Sequence, residues 1–263
     1  MPAQTLTALI TGGTRRVGLA IARALVGCAA ADRSSNEKPN TTLILTSRDP
    51  DSTEAQNARG VLKALGARVE LERFDPGDSE SVASLAQRLK EKHASLDALV
   101  LNASSYAPTP LRQLTSDNLS DFMTINAFSP VLLVEELLTL LEKSTLPGGA
   151  GIVAMVDMHV LGRPRKDLLA YSMSKAALLE AVRSLARELA PKIRINAVAP
   201  GVVAWPEAGK ESGEAFRREY LSRVPLQRAG TPEDAAETVR WLALDARYVT
   251  GEVVRVDGGR WLA

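Results

Sequence analysis

The sequence is poor in the residues that build disulfide frameworks, metal centres and aromatic surfaces. Its 263 residues include one cysteine, Cys28, and two histidines, and aromatic residues make up 4%. One cysteine excludes an internal disulfide framework and a cysteine-rich metal site, and two histidines argue against a histidine-based one. We therefore expect Cys28 to pack in the core, and we predict no metal.

Net charge and long apolar runs are lacking too. The formal net charge is +1, with 32 basic and 31 acidic side chains, so charge favours neither nucleic acid nor a membrane surface as a partner. No apolar run reaches membrane-spanning length, and the N-terminus enters a predicted strand without a signal-peptide pattern. These features predict a cytoplasmic protein.

What the sequence does contain is a regular alternation of strand and helix patterns. Such alternation is typical of an α/β fold with a doubly wound parallel sheet. Without a repeat or a linker, it predicts one domain over residues 1–263, with an inserted surface loop at 29–41 and a substrate loop at 202–226. The predicted strands are Thr5–Ile10, Thr42–Thr46, Arg68–Phe74, Leu96–Leu101, Gly151–Val156, Arg194–Ala199 and Glu252–Val256.

A glycine-rich turn joins the first strand to the first helix. Gly12 and Gly18 would let the backbone approach a pyrophosphate at the helix N-terminus. The spacing is not GxGxxG, because Arg16 stands where a middle glycine is expected. The strand-turn-helix setting nevertheless favours a dinucleotide site.

The end of the second strand bears on the choice of cofactor. An acidic residue there would bind the 2′-hydroxyl of NAD, whereas a cation suits the 2′-phosphate of NADP. The sequence has Arg48 at this position, and Arg15 and Arg16 should lie nearby. We therefore predict NADP(H), with Asp75, just after the third strand, beside the adenine.

Tyr171 and Lys175 are four residues apart at the start of a predicted helix, so they share one of its faces. A phenol with a pKa near 10 is a poor acid or base at neutral pH, and a neighbouring cation would lower that pKa. The pair therefore indicates proton transfer, although a surface tyrosine and lysine could show the same spacing. Asn126 is polar within the apolar stretch Ser116–Leu141, where it is either a packing amide or a functional group.

Considered as a set, the motifs resemble the short-chain dehydrogenase/reductase family along essentially the whole chain. The resemblance implies a single Rossmann-like domain with a seven-stranded parallel sheet, helices on both faces, and NAD or NADP. It also implies that Lys175 holds the nicotinamide ribose, that Asn126 supports a proton relay, and that the helices Ser116–Leu141 and Tyr171–Ala190 pack in a homotetramer. The motifs are Thr11-Gly12…Gly18, Asn102-Ala103, Asn126, Tyr171…Lys175, Pro200-Gly201 and Asp257-Gly258-Gly259.

Some features depart from most family members and are similar to the pteridine reductases, particularly the bacterial ones. From Ile152 to Gly162 there is no serine or threonine to bind a substrate carbonyl; Asp157 is there instead. An ionised carboxylate would repel a developing alkoxide, whereas it suits a substrate with basic ring nitrogens. Arg16, the loop reading NASSYAPTPL from Asn102 and the Trp205-Pro206-Glu207 run strengthen this likeness. The segment from Asp157 to Tyr171 is one residue longer than the pattern.

This resemblance implies an NADPH-dependent reductase of dihydropterins or dihydrofolate. Hydride would go to a ring carbon, and Asp157 with Tyr171 would supply protons to ring nitrogen, while Lys175 and Asn126 complete the catalytic set. The expected substrate contacts are Arg16, Ser104, Tyr106 (stacked on the pterin), Asp157, Tyr171 and Trp205. The expected cofactor contacts are Gly12, Thr14, Arg15, Arg16, Val17, Gly18, Ser47, Arg48, Asp75, Asn102, Ala103, Ser104, Tyr171, Lys175, Pro200, Gly201 and Val203.

Two other functions compete with this one. A carbonyl reductase of 3-oxoacyl thioesters or steroids is disfavoured by the missing serine. A non-catalytic regulator that senses NADPH would not need Tyr171, Lys175 and Asn126 together. His159 is interpreted as a structural or loop histidine rather than a pocket residue.

Overall fold

A parallel sheet of seven strands, in the order β3-β2-β1-β4-β5-β6-β7, forms the centre of the computed structural model. The model describes residues 6–31, 41–207 and 210–263. The α/β prediction and the seven-stranded Rossmann-like sheet are confirmed. The strands are β1 (Leu6–Ile10), β2 (Thr41–Ser47), β3 (Arg68–Arg73), β4 (Ala98–Leu101), β5 (Ala150–Met155), β6 (Ile193–Pro200) and β7 (Val253–Val256).

Helices cover both faces of the sheet. One apolar core lies between the sheet and α1, α2 and α8, and a second lies between the sheet and α3, α5 and α6. Both cores form because the central strands are apolar runs without alternation, as in β5, where every residue is buried. The helices of the described part are α1 (Arg16–Ala31), α2 (Thr53–Ala64), α3 (Ser79–Lys92), α4 (Ser116–Met123), α5 (Ser129–Leu141), α6 (Leu169–Leu189), α7 (Glu214–Leu221) and α8 (Pro232–Arg240).

The strand order reverses between β1 and β4, which are neighbours in the sheet although β2 and β3 separate them in sequence. In an open parallel sheet, a crevice that can hold a ligand opens at such a reversal, beyond the carboxyl ends of the strands. The glycine-rich turn follows β1 and Asn102 follows β4, so both lie at this crevice.

The stretch Ser116–Leu141, which is predicted to be helical, is α4 joined to α5 by a π-helical turn at Thr124–Phe128. By length and composition it could cross a membrane, but half of its most apolar window is buried inside the fold. Its contacts with α3 and α6 identify it as a core helix. Phe128 and Leu132 remain exposed on it, and the tetramer through this helix stays a prediction.

The structure describes only the two ends of the predicted surface loop at 29–41. Helix α1 continues to Ala31 and β2 begins at Thr41, so the two ends of the predicted loop are regular structure and this part of the prediction is wrong. Residues 32–40 lie outside the described residues. Cys28 is on α1, but its side chain lies outside the described part of the chain, so its packing in the core stays a prediction.

Candidate active site

A cleft of about 890 Å³ opens at the carboxyl ends of the strands. It brings most of the sequence-predicted site residues together from all parts of the chain. Lys175 and Asn126 are buried and are not among the described residues that line it. The predicted residues that line it are Gly12, Thr14, Arg15, Arg16, Val17, Gly18, Ser47, Arg48, Asp75, Asn102, Ala103, Ser104, Tyr106, Asp157, Tyr171, Pro200, Gly201 and Val203.

The turn after β1 has the close backbone approaches that a dinucleotide phosphate site requires. Gly12 has φ +61°, and a Cβ atom at Gly18 would lie 2.2 Å from the Gly12 carbonyl oxygen. No side chain fits at Gly18. Because glycine has none, the first turn of α1 can pack closely against the end of the strand, with its backbone facing the cleft. Arg16 has φ 46°, a left-handed conformation in which glycine would be unstrained.

Residues that follow β4 form hydrogen bonds with this turn. The Thr11 hydroxyl oxygen accepts hydrogen bonds from the backbone N–H groups of Asn102 and Ala103, both at 2.9 Å. The Asn102 side-chain amide donates to the carbonyl oxygens of Thr11 (2.9 Å) and Gly12 (3.1 Å). The amide of Asn102 thus positions the glycine turn; Asn102 also lines the cleft, and its contact with the cofactor stays a prediction.

Three arginines line the cleft near this turn. Arg15 is only 4.0 Å from Glu54 in an exposed pair, and Arg48 is exposed at the end of β2. The Arg16 guanidinium donates to the carbonyl oxygens of residues 204 and 205, at 3.3 and 2.9 Å, across the cleft. Arg16 therefore links the turn after β1 to the loop after β6, and the other two offer cationic charge to a ligand.

Asp157 and Tyr171 form one hydrogen-bonded unit. The Tyr171 hydroxyl donates to Asp157 Oδ2 at 2.9 Å, while Asp157 Oδ1 accepts from the backbone N–H of His159 at 2.8 Å. Asp157 is thereby the N-cap of the 3₁₀ turn Met158–Leu161. The additional residue in the segment before Tyr171 therefore does not separate the carboxylate from the phenol.

The expectation that Lys175 lowers the pKa of Tyr171 is wrong for this geometry. Burial and the neighbouring Asp157 carboxylate raise the pKa of Tyr171 well above its usual value. The Lys175 ammonium instead donates to the Met155 carbonyl oxygen at 2.8 Å, and burial lowers the pKa of Lys175 to about 8, against the opposing effect of Asp157. Tyr171 is thus held protonated, as a proton donor must be.

Asn126 lies at the centre of the π-helical turn and is fully buried. Its Oδ1 accepts from the Ser105 N–H at 2.8 Å, and its Nδ2 donates to the Ser105 carbonyl oxygen and to Ser174 Oγ, both at 3.0 Å. These contacts fix the loop after β4 against α6, beside Tyr171. The relay role implied by the family resemblance stays a prediction.

Tyr106, on this loop, lies at the end of the cleft that Asp157 and Tyr171 line, which we call the substrate end after its predicted role. Its ring meets the Tyr171 ring edge to face, with centroids 4.9 Å apart. Its hydroxyl lies 2.9 and 3.1 Å from the two carboxylate oxygens of Glu211, and Arg165 forms an ion pair with the same carboxylate. Burial raises the pKa of Tyr106 to about 12, so its phenol remains a donor.

The predictions for Trp205, in the loop after β6, and for His159, in the turn after β5, need correction. Trp205 is not among the described residues that line the cleft; its ring packs against Phe216 and Tyr220, at centroid distances of 6.4 and 5.6 Å. Its predicted substrate contact is therefore revised to a packing role. His159 does line the cleft, although its Nδ1 lies 2.8 Å from the Arg163 carbonyl oxygen, which is the loop-structural role expected for it.

The sequence reasoning missed Arg165, Glu211 and Tyr220, all of which line the cleft. Tyr220 accepts a hydrogen bond from the Val202 N–H at 3.1 Å and so ties α7 to the loop after β6. No local pattern identifies these residues, because their partners are brought in from distant segments. Only the segments that carry Glu211 and Tyr220 could be flagged, as a substrate loop.

Comparisons with known proteins agree with this geometry. A family model described as Enoyl-(Acyl carrier protein) reductase matches residues 21–260. The dihydromonapterin reductase of Enterobacter sp. (strain 638) is 30% identical over 253 residues, which cover 96% of this chain and 95% of that protein. Glucose 1-dehydrogenase 2 of Bacillus subtilis (strain 168) is 26% identical over 259 residues, which cover 97% and 95%.

A solved structure shows the same relationship. The crystal structure of a short chain dehydrogenase from Burkholderia cenocepacia J2315 in complex with NADP has a TM-score of 0.83 and 27% sequence identity, and the match covers 99% of both chains. The glycine turn, the Tyr171–Lys175 helix and these matches over nearly the full length lead to one conclusion: the chain belongs to the short-chain dehydrogenase/reductase family of NAD(P)-dependent oxidoreductases.

Proposed function

We propose that the protein is an NADPH-dependent reductase that converts a dihydropterin or dihydrofolate to the tetrahydro form. The observation that carries the proposal is the 2.9 Å hydrogen bond between Tyr171 and Asp157. It places a carboxyl group beside the catalytic phenol, where a carbonyl reductase would need an uncharged donor for its alkoxide.

The chemistry requires one hydride and one proton. The reduced nicotinamide supplies the hydride to a ring carbon when it is bound. Tyr171 and Asp157 hold the proton that the adjacent ring nitrogen takes up, and the raised pKa of Tyr171 keeps the phenol in its donor form. Asp157 cannot turn away easily, because the His159 N–H holds its other oxygen at 2.8 Å.

The residues around the phenol suit a flat heteroaromatic ring. Tyr106 presents a half-exposed ring next to Tyr171, and a pterin stacked on it would gain about 0.5–1.5 kcal/mol beyond its area burial. Stacking also aligns the ring for hydride transfer. Asn126 supports this arrangement by holding the backbone of Ser105 next to Tyr106.

The preference for NADPH rests on the cationic side of the cleft. Arg15 and Arg48 are exposed there, and both can approach a 2′-phosphate. The backbone of the turn at Gly12 and Gly18 suits the pyrophosphate, since no side chain blocks it. The relative from Burkholderia cenocepacia was crystallised in complex with NADP, which supports the same preference.

The relatives act on different substrates, so the pterin assignment depends on the site rather than on overall similarity. The dihydromonapterin reductase from Enterobacter supports it, whereas the glucose 1-dehydrogenase from Bacillus subtilis shows that similar chains serve other chemistry. The main competitor is an NADPH-dependent carbonyl reductase of 3-oxoacyl thioesters. A regulator that binds NADPH without turnover is the third possibility.

The test is NADPH oxidation with dihydrobiopterin, dihydrofolate and an acetoacetyl thioester in parallel. The wild type should reduce the pterins and not the thioester. Asp157→Ser should lower kcat for the pterins by about 10²- to 10⁴-fold, the usual contribution of a general acid. Asp121→Ser, which removes an exposed carboxylate on α4, is the matched control and should leave kcat unchanged.

Each competitor gives a different result. Turnover of the thioester alone would contradict the pterin assignment and indicate a carbonyl reductase. NADPH binding without turnover of any substrate would indicate a regulator.

A further inference from the structure

Three polar side chains form a wall at the substrate end of the cleft, which we call the Arg165–Glu211–Tyr106 wall. They come from the segment before α6, the 3₁₀ turn before α7 and the loop after β4, and all three line the same cleft as Asp157. The Arg165 and Glu211 side chains are only 27% and 19% exposed. An ion pair this enclosed acts more strongly on a neighbouring ligand than a solvated surface pair does.

The wall retains hydrogen-bonding capacity towards a ligand. An arginine has five N–H donors in a fixed fork, and a carboxylate has about four acceptor sites. Arg165 uses Nη2 for Glu211 and Nη1 for a long contact, 3.4 Å, with the Tyr106 hydroxyl. Hydroxyl groups can both donate and accept, so they match a wall that offers both capacities at once.

The charge at this end of the cleft disfavours an anionic ligand. Among the described residues that line this end, Asp157, Glu207 and Glu211 contribute three negative charges, against two positive charges from Arg16 and Arg165. The positive charges are already engaged: Arg16 is 3.9 Å from Glu207, and Arg165 is paired with Glu211. A carboxylate-bearing ligand would therefore face one uncompensated negative charge from these residues, and the two described arginines at this end are already paired.

We propose that the Arg165–Glu211–Tyr106 wall determines substrate choice: it selects a pterin with a neutral, hydroxylated side chain and disfavours a folate with its anionic glutamate tail. Glu211 is the deciding residue, because it neutralises the Arg165 guanidinium that would otherwise attract a carboxylate. This inference rests on the proposed function. It names which of the two substrate classes the same site takes.

The test compares kcat/KM for dihydrobiopterin, whose side chain is a neutral diol, with kcat/KM for dihydrofolate. The wild type should favour dihydrobiopterin. Glu211→Gln keeps the shape and most of the hydrogen bonds but frees the Arg165 charge, so the dihydrofolate-to-dihydrobiopterin ratio should rise about fivefold to tenfold. Arg165→Gln should lower the same ratio, because it leaves Glu211 unopposed.

The control is Glu219→Gln, which removes an equal charge from the exposed side of α7, where Glu219 pairs with Arg223. It should leave the ratio unchanged. A wall that merely holds the three loops together would slow both substrates alike in Glu211→Gln and Arg165→Gln. An unmoved ratio in both variants therefore overturns the inference while the proposed function stands.

If the proposed function is wrong, the same measurements give a different result. A wild type that reduces neither substrate, and binds neither in a fluorescence titration with NADP⁺ present, would remove both the proposed function and the inference. Tight binding of dihydrofolate by the wild type, with dihydrobiopterin weaker, would overturn the inference alone.

Discussion

The two ends of the cleft are built in different ways. At the cofactor end, the turn after β1 is shaped by backbone contacts, and the side chains of Thr11 and Asn102 hydrogen-bond to backbone groups of adjacent strand ends. At the substrate end, separate loops are joined by side chains, such as Arg165 with Glu211 and Arg16 with the carbonyl oxygen of Trp205. The cofactor end is formed by the ends of the strands, whereas the substrate end is formed by loops that pack over the sheet.

This difference explains how one fold can keep a cofactor and change its substrate. Contacts between backbone atoms tolerate almost no added volume, so the cofactor end depends on a few positions such as Gly18. Contacts between loop side chains can be exchanged one pair at a time without disturbing the sheet. The diverse activities of relatives at similar identity agree with this division.

The largest expected effect comes from a substitution that disrupts the cofactor end alone. Gly18→Ala would place a Cβ atom 2.2 Å from the Gly12 carbonyl oxygen, so the turn must open. We expect NADPH affinity to fall about 100-fold, because the backbone loses its approach to the pyrophosphate. A titration that follows nicotinamide fluorescence measures this.

The matched control is Gly60→Ala on the exposed face of α2, where no described atom beyond the adjacent backbone of the helix lies within 4 Å of the added Cβ. It should leave NADPH affinity unchanged and raise the free energy of unfolding by about 0.4–1 kcal/mol. Equal affinities for the Gly18 and Gly60 variants would contradict the steric account of the turn.

A smaller effect concerns the buried side chain of Lys175. Because its pKa is lowered to about 8, the ammonium is charged below that pH and neutral above it. Tyr171, with its pKa well above the usual value, does not lose its proton in this range. We therefore expect kcat/KM to fall about tenfold for each pH unit above about 8. Steady-state rates across the pH range measure this.

The control for this profile is Lys175→Arg, whose side chain stays protonated up to about pH 12. Its activity will be lower, but its residual rate should not decline between pH 8 and 10. A wild-type profile that stays level to pH 10 would show that the charge of Lys175 does not limit the rate.

The smallest effect tests the choice of cofactor. Arg48→Ala removes an exposed cation at the end of β2, so affinity for NADPH should fall about fivefold to tenfold while affinity for NADH stays the same. Kd values for both cofactors at low and high salt measure this. Lys63→Ala, which removes a cation from the last turn of α2, is the control. An equal loss for NADH would contradict a 2′-phosphate contact.

Local sequence patterns were sufficient to predict the sheet, the glycine turn and the helical face that Tyr171 and Lys175 share. These features depend on local patterns: apolar runs form the buried strands, glycines mark tight backbone approaches, and a spacing of four residues places two side chains on one helical face. The start of α8 has a signal of the same local kind, since Thr231 forms a capping box with Asp234 and Pro232 occupies the first turn.

The tertiary structure decided which groups meet across the cleft. Arg165 and Glu211 are 46 residues apart, and Arg16 and Trp205 are 189 apart, so no periodicity connects them. It also decided that Tyr171 donates to Asp157 instead of gaining acidity from Lys175. The physical reason is that burial and non-local contacts set pKa values and pairings, and both exist only after the loops have packed over the sheet.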